Sequence, residues 1–526
     1  MENPSLGADF EFEFDVSKWE VGKARPTKQL AALLKDYGGF PESVLVRQEM
    51  AILWGVLVEK MVTQQLGVAV VGSPGVGKSV IVVLFSLFLA MVREENVLLL
   101  RAVKRVGKDK TAYAVICFRG PNEIVVYPDL YTIADAVDVC KAFRNDCLLV
   151  IDGLNQDDLS GTALKNFDLL STSAQYSKKN DDLHDVCLLP AWQEADLELY
   201  ASQLIDPVSS RETFELHYEY SGGNLRNFIR ASKDLAGLRV IISSDVVDAP
   251  RETIDAMFSE YSASRGTGLD RLQRTYVIDR NNAAHYSDKT RWRKVVDSFV
   301  ARKGLSLKIA LDSIKSSMQL AESSGVAAWR GWVFEEYVHK MASLRIGVIR
   351  MYPYAGGADR VSSGEVMRVA LNEIENFECS GNNFASCSKN LARNSAPGLY
   401  WCPDYAQYPA LDAVLFLPST KTVLYIQTTV SKIHTFNPKL VKKTHDSLVT
   451  SVDFLRKTKE CKATEECKAT MEWTYAYVVI VPSQDGIDTF SNADVNAGVE
   501  IDELEGKLYV GYIDEEGGIP QLSAIK

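Results

Sequence analysis

Eight consecutive residues, Gly72, Ser73, Pro74, Gly75, Val76, Gly77, Lys78 and Ser79, have the types and spacing needed to hold a polyphosphate. They fit the pattern G-x-x-x-x-G-K-[ST]. Its glycines let main-chain N–H groups curl round phosphate oxygens, and the N-terminus of a following helix adds a favourable dipole. In such a loop Lys78 reaches the β- and γ-phosphates of a nucleotide and the Ser79 hydroxyl ligates Mg²⁺. That chemistry requires a strand before the turn and a helix after it. Leu66 to Val71 reads as a buried strand, and Val80 to Met91, apolar and free of Gly and Pro, reads as a helix. The competing assignment is an ordinary tight turn ahead of a core helix.

A phosphate loop also needs an acidic residue at the end of a nearby buried strand to hold the metal. The run Cys147 to Ile151 followed by Asp152 supplies one. Gly153 stands where a second acid would help orient an attacking water, so Asp157, Asp158 or another group must do that, or hydrolysis is slow. Asp168 to Ser173 reads as a further core strand ending in hydroxyls that could face the γ-phosphate. Ser221-Gly222-Gly223-Asn224-Leu225-Arg226 could bring Arg226 to the phosphates from a helical segment, the alternative being a solvated arginine at a helix start.

A second constellation lies near the C-terminus. Asp412 and Gln427 fall in two adjacent strand candidates, Ala410 to Leu417 and Thr422 to Val430, joined by Pro418 to Lys421. Alternate strand residues share a face. An Asp on one strand and a Glu-x-Lys on the next can therefore hold Mg²⁺ and activate water. Here the second element is Gln427-Thr428-Thr429, with Lys432 or His434 available to compensate and Glu335, next to Glu336, as an additional ligand from an earlier helix. Lys432, His434, Lys439, Lys442, Lys443 and His445 gather positive charge beside this point, as phosphate contacts require. A solvated basic helix face gives the same pattern.

The elements that must position these groups follow from the 526-residue length, which calls for two or three domains. Residues 1–43 read as a lead-in with weak periodicity, 44–190 as the nucleotide-binding α/β core, 191–320 as a helical extension and 321–526 as a second α/β domain. Strands are expected at Asn96 to Val103, Ala112 to Phe118, Glu123 to Tyr127, Thr474 to Val481 and Lys507 to Tyr512. Helices are expected at Val44 to Gln65, Ile133 to Phe143, Ser323 to Met341 and Pro438 to Leu455. Ser380 to Ser395 and Ala355 to Gly357 read as loops. A net charge of −11 implies no attraction of the whole chain to nucleic acid, though a local basic patch can still bind it. Nine cysteines, an odd number without C-x-x-C spacing, favour thiols in a reducing intracellular compartment. Neither a secretory signal nor a membrane span is expected.

The ordering of these motifs resembles the NTPase of Crinkler-type effectors and of the retrotransposon hot spot proteins of trypanosomes. The resemblance rests on Gly72 to Ser79, the hairpin after it, Cys147 to Asp152 and Ser221 to Arg226. Gly331 to Glu335, Pro409 to Asp412 and Gln427 to His434 resemble the restriction-endonuclease-like domain that follows in those families. The resemblance covers about residues 45 to 445. It implies an NTPase coupled to an active or degenerate nuclease acting on nucleic acid, often in a host nucleus, in a secreted effector family. Met1 to Ser43 departs from it, lacking the ubiquitin-like header with its Leu-Phe-Leu-Ala-Lys signature. Leu87 to Met91 looks like that signature by accident, inside the phosphate-loop helix.

The resulting expectation is an α/β chain: a P-loop NTPase with a helical extension, then a restriction-endonuclease-like α/β domain. ATP with Mg²⁺ would bind at Gly72 to Ser79 and Asp152, with Lys78 and Arg226 on the phosphates. The C-terminal domain would bind DNA, cutting it at a metal held by Asp412, Glu335 and Gln427 with help from Lys432. The alternative is a signalling switch or interaction module with an inactive nuclease-like domain. A homo-oligomer is compatible with either.

Overall fold

The structure is a computed structural model. It describes residues 12–104, 111–120, 123–174, 176, 178, 184–205, 210–250, 254, 271–324, 327–354, 366–381, 384–404, 408, 411–431, 433–434, 438–452, 454–455, 473–489, 491–492 and 507–515. The chain is an α/β protein of two compact units. One comprises Met1–Ala249 with Arg265–Arg302, the other Pro250–Ser264 with Lys303–Lys526. The stretch expected as a separate helical extension is therefore divided between them.

The first unit is built on β1 (Val68–Val71), α1 (Lys78–Met91), β2 (Asn96–Lys104), β3 (Thr111–Arg119), β4 (Glu123–Leu130), α2 (Ile133–Phe143), β5 (Leu148–Asp152), β6 (Leu169–Ser171) and β7 (Asp185–Leu188). The sheet order is β4-β3-β2-β5-β6-β1-β7. β2, β5, β6, β1 and β7 run parallel, and β3 and β4 extend one side as antiparallel strands. All four residues of β1 are buried, as parallel strands covered on both faces require. Every residue of α1 from Ile81 to Ala90 is buried, so this helix is apolar all round and lies inside the unit. β6 is inserted between β1 and β5, which brings the carboxyl ends of all three together.

The lead-in is more ordered than its weak periodicity suggests. Ala24–Pro26 pairs antiparallel with Ser43–Leu45, and Phe14, Val16, Trp19, Leu30 and Leu34 are buried in the first core. Its apolar residues are spread among short elements, so no single period emerges. The helix expected from Val44 begins at Gln48, after that strand, and changes at Val58 to a π-helical turn ending at Thr63. Helices Glu194–Leu204 and Arg211–Ser221 precede α3 (Leu225–Lys233) and Leu235–Asp248. The expected mostly helical stretch is then interrupted by an antiparallel ribbon of β8 (Arg274–Val277) and β9 (Trp292–Val295). Their short length and half-polar sequences hide the strand period.

In the second unit α4 (Ala327–Leu344) precedes β10 (Val348–Pro353), β11 (Met367–Ala370), β12 (Asn376–Ser380), α5 (Phe384–Asn394), β13 (Leu399–Pro403), β14 (Ala413–Leu417), β15 (Thr422–Thr428), α6 (Pro438–Ser451), β16 (Thr474–Ile480) and β17 (Leu508–Asp514). The eight-stranded order is β11-β10-β17-β16-β15-β14-β13-β12. β14 and β15 form the expected antiparallel pair, with Ala413 opposite Ile426. α5 lies where a loop was expected. Its Asn- and Ser-rich sequence obscures a helical spacing of Phe384, Cys387 and Leu391, of which the last two are buried. The loop expected at 355–357 lies outside the described residues.

Candidate functional site

The loop from Gly72 to Ser79 leaves the carboxyl end of β1 and enters α1, with Gly77 as the helix N-cap. Gly75 and Gly77 have φ of +79° and +103°, the left-handed region where a side chain is strained. Close packing also demands glycine at two points. A Cβ on Gly72 would lie 2.5 Å from the Leu189 carbonyl oxygen, and one on Gly75 would lie 2.1 Å from Asn224 Oδ1. Lys78 Nζ donates to the carbonyl oxygens of Gly72 (2.7 Å) and Ser73 (2.9 Å), folding back across the loop. Ser79 is exposed at the start of the helix.

Several elements hold the loop. The buried Arg47 guanidinium donates to the carbonyls of Val76, Pro190 and Ala191 and stacks over Trp192 at 4.9 Å. Trp192 Nε1 donates to the Val76 carbonyl, and the Thr275 N–H of β8 donates to Ser73 Oγ. The Ser221 to Arg226 segment packs directly on the loop. Asn224 Oδ1 accepts from the Asn227 N–H and caps α3. Gly223 N–H donates to Asp297 Oδ2 at 2.7 Å, and the Tyr276 hydroxyl donates to the same oxygen. A Cβ on Gly222 or Gly223 would strike Asp297 or Tyr276, which accounts for the paired glycines.

Two openings meet here. A cavity of about 540 Å³ is lined by loop residues Gly75, Lys78 and Ser79, by Ser171, Thr172 and Ser173 at the end of β6, and by Arg226. A wider one of about 1120 Å³ shares Ser79 and Arg226 and adds Asp152, Arg101 and Asp158. Thus Lys78, the hydroxyl cluster, Ser79 and Arg226 line the smaller opening, and Asp152 lines the wider one, which shares Ser79 and Arg226 with it. Asp158 reaches the wider cavity from the short helix Gln156–Leu159, where its carboxylate accepts from the Asn155 N–H. Gly153 has φ +88°, so the chain turns sharply straight after Asp152.

Arg101 was not anticipated. It faces Asp152 across β2 and β5, with Nε 3.3 Å from Oδ2, and both side chains are buried. Its Nη1 donates to the carbonyls of Tyr37 and Gly39 in the lead-in. Asp152 Oδ1 is buried with no hydrogen-bond partner among the described residues. The sequence signal was an arginine in an otherwise apolar parallel strand.

In the second unit Asp412 lies immediately before β14 rather than within it. Its Oδ2 accepts from Gln427 Nε2 (3.0 Å) and from the Thr428 N–H and Oγ1 (both 2.6 Å). Burial, then the nearby Glu335 carboxylate, raises the Asp412 pKa to about 7. Glu335 lies on α4 with its Oε1 3.5 Å from His339 Nε2, and His339 Nδ1 meets the Tyr400 hydroxyl at 2.9 Å.

Lys303 is a second unanticipated group. Burial opposes its charge, but Cys402, Cys379, Glu336 and Glu335 outweigh that and hold its pKa well above the ordinary lysine range. Lys432 lies outside the described residues, as do the side chains of His434 and Lys439. Of the expected basic patch, Lys442, Lys443 and His445 are described. His445 is buried, paired with the Tyr425 hydroxyl and edge-on to Tyr475, while Lys442 pairs with Asp446.

Among the described residues no group of three or more His, Cys, Asp or Glu side chains is placed to hold a metal ion. The cysteines among them are thiols. No helix among them is long and apolar enough to cross a membrane. No protein-family model matches the chain, and no curated protein matches it.

Proposed function

We propose that the first unit binds a nucleoside triphosphate with Mg²⁺ and hydrolyses it. The observation that carries this is the convergence of Lys78, Ser79, Asp152 and Ser171 to Ser173 at the carboxyl ends of β1, β5 and β6. A crevice at such strand ends is where open α/β sheets take their ligands. The loop N–H groups and the start of α1 would cradle the phosphates. Lys78 would exchange its two loop carbonyls for phosphate oxygens. Ser79 and the unpaired Oδ1 of Asp152 suit a hard cation, which when bound would neutralise charge on the transferring phosphoryl group. Arg226 would meet the same charge from α3. With glycine at 153, Asp158 is the acid proposed to orient the attacking water, whose bond to the γ-phosphorus forms as the bond to the leaving diphosphate breaks. Phosphate release with Mg²⁺ and ATP, lost in Lys78→Ala and Asp152→Ala, tests this. Turnover in Lys78→Ala equal to that of the unaltered chain would refute it.

For the second unit we propose a DNA-binding domain with a weak two-carboxylate metal site at Asp412 and Glu335. A divalent cation would relieve the repulsion between these two neighbouring carboxylates, of which Glu335 contributes to the raised pKa of Asp412. Gln427 would hold Asp412 in place, and Lys303 would supply the cation missing at Thr429. Mg²⁺-dependent plasmid nicking, abolished by Asp412→Ala, tests cleavage. DNA retention without nicking in the unaltered chain would assign it the inactive, binding-only form.

A further inference from the structure

A third cavity, of about 230 Å³, opens beside the phosphate loop between the loop, α3 and the strand Ser43–Leu45. Its lining is almost wholly apolar, with Val44, Met50, Leu189, Trp192 and Tyr200 among the walls. Gly77, Val80, Leu225 and Ile229 line both this cavity and the phosphate-loop cavity of about 540 Å³, so the two adjoin. The volume falls below the roughly 300–1,000 Å³ of sites that take whole drug-sized ligands, and it suits one planar heterocycle.

We propose that this cavity receives the base of the bound nucleotide and reads it by shape alone, accepting either purine. The proposal rests on the triphosphate reading above. Two groups able to read a base edge are already committed: Arg47 Nη1 and Nη2 donate to main-chain carbonyls, and Trp192 Nε1 donates to the Val76 carbonyl. The Ser43 and Tyr200 hydroxyls that remain can each donate or accept, so neither distinguishes adenine from guanine. An apolar pocket that hydrogen-bonds no polar edge of its ligand discriminates weakly, on the order of 100-fold, whereas a pocket built to hydrogen-bond reaches about 10⁴-fold or more. Purines gain more than pyrimidines from the flat apolar walls.

The test is equilibrium binding to the full chain of Mg²⁺ complexes of ATP, GTP, CTP and inorganic tripolyphosphate. ATP and GTP are expected to agree within about tenfold and to bind at least about tenfold tighter than tripolyphosphate, with CTP between. Tyr200→Ala, which removes one wall, and Ser43→Phe, which fills the space, are expected to shrink the purine advantage about fivefold or more and leave tripolyphosphate binding unchanged. A preference of more than about 100-fold between ATP and GTP, or tripolyphosphate binding as tightly as ATP, would overturn the base assignment while leaving the phosphate site standing. Equal weakening of all four ligands in both variants would overturn it too. Failure of every ligand to bind the unaltered chain would instead remove the phosphate reading on which it rests.

Discussion

Arg101 and Asp152 stand opposite each other on parallel strands β2 and β5 and form a buried ion pair of 3.3 Å, and both line the cavity that Ser79 also lines. Arg101 also holds the carbonyls of Tyr37 and Gly39, so one guanidinium links the proposed metal-binding acid to the lead-in. A Cβ on Gly38 would come within 3.0 Å of that guanidinium, which shows how closely the segment is drawn over it.

Replacing Arg101 by Met leaves a buried carboxylate without its partner, which costs about 3–5 kcal/mol. Urea unfolding of Arg101→Met is expected to show that loss. Adding Asp152→Asn is expected to restore part of it, because the uncompensated charge goes too. Additive losses in the double variant would mean that the pair carries no mutual stabilisation.

Gly75 and Gly77 both have positive φ, but only Gly75 faces an obstacle. Left-handed backbone costs a non-glycine residue about 1–2 kcal/mol at either position. At Gly75 the added Cβ also meets Asn224, whereas nothing lies within 4 Å at Gly77. Gly75→Ala is therefore expected to be the less stable of the two by about 1–3 kcal/mol, and the weaker in nucleotide binding. Thermal melts and ATP titrations compare them directly, and equal effects would contradict the packing of Asn224 on the loop.

His217, on the helix Arg211–Ser221, lies edge-on to Phe228, and its Nδ1 is buried with no hydrogen-bond partner among the described residues. Burial holds its pKa below the ordinary 6.5. The folded chain therefore refuses a proton that the unfolded chain accepts. This contribution to stability is complete above pH 6.5 and is lost as pH falls through the depressed folded value. The urea midpoint of His217→Phe is expected to gain on that of the unaltered chain as pH falls from about 7 to about 5. A gap independent of pH would sink the assignment.

Asp412 shifts the other way. Its pKa rises from 3.8 to about 7, so its contribution to stability is complete below 3.8 and is lost as pH rises through about 7. Asp412→Asn removes the repulsion from Glu335. It is expected to stabilise the second unit more at pH 8 than at pH 5, and to abolish any Mg²⁺-dependent nicking. Loss of stability at pH 8 would mean that the carboxylate serves the fold.

The parts of the first unit legible in the sequence are those whose signal is local. The loop has a strict spacing. β1 and β5 are unbroken apolar runs, and α2 has its own capping box at Thr132 and Asp135. Asp152 was legible because it ends such a run. Arg101 was not, because its partner is brought opposite only by strand pairing. The lead-in was obscured by short elements, and α5 by polar residues on its outer face. Lys303 was hidden for a related reason. It precedes Glu335 in the chain, and only folding surrounds it with thiols and carboxylates. Asn224 and Asp297 act by filling space around glycines, which sequence spacing does not express.

The central claim is that Lys78 and its loop grip a triphosphate. Equilibrium dialysis of Mg²⁺-ATP against the unaltered chain and Lys78→Ala tests it most directly. Loss of a charged hydrogen-bond donor worth about 1.5–3 kcal/mol predicts affinity lower by about 10- to 150-fold in the variant, with unchanged folding by circular dichroism. Equal binding by the two proteins, or none by either, would contradict it.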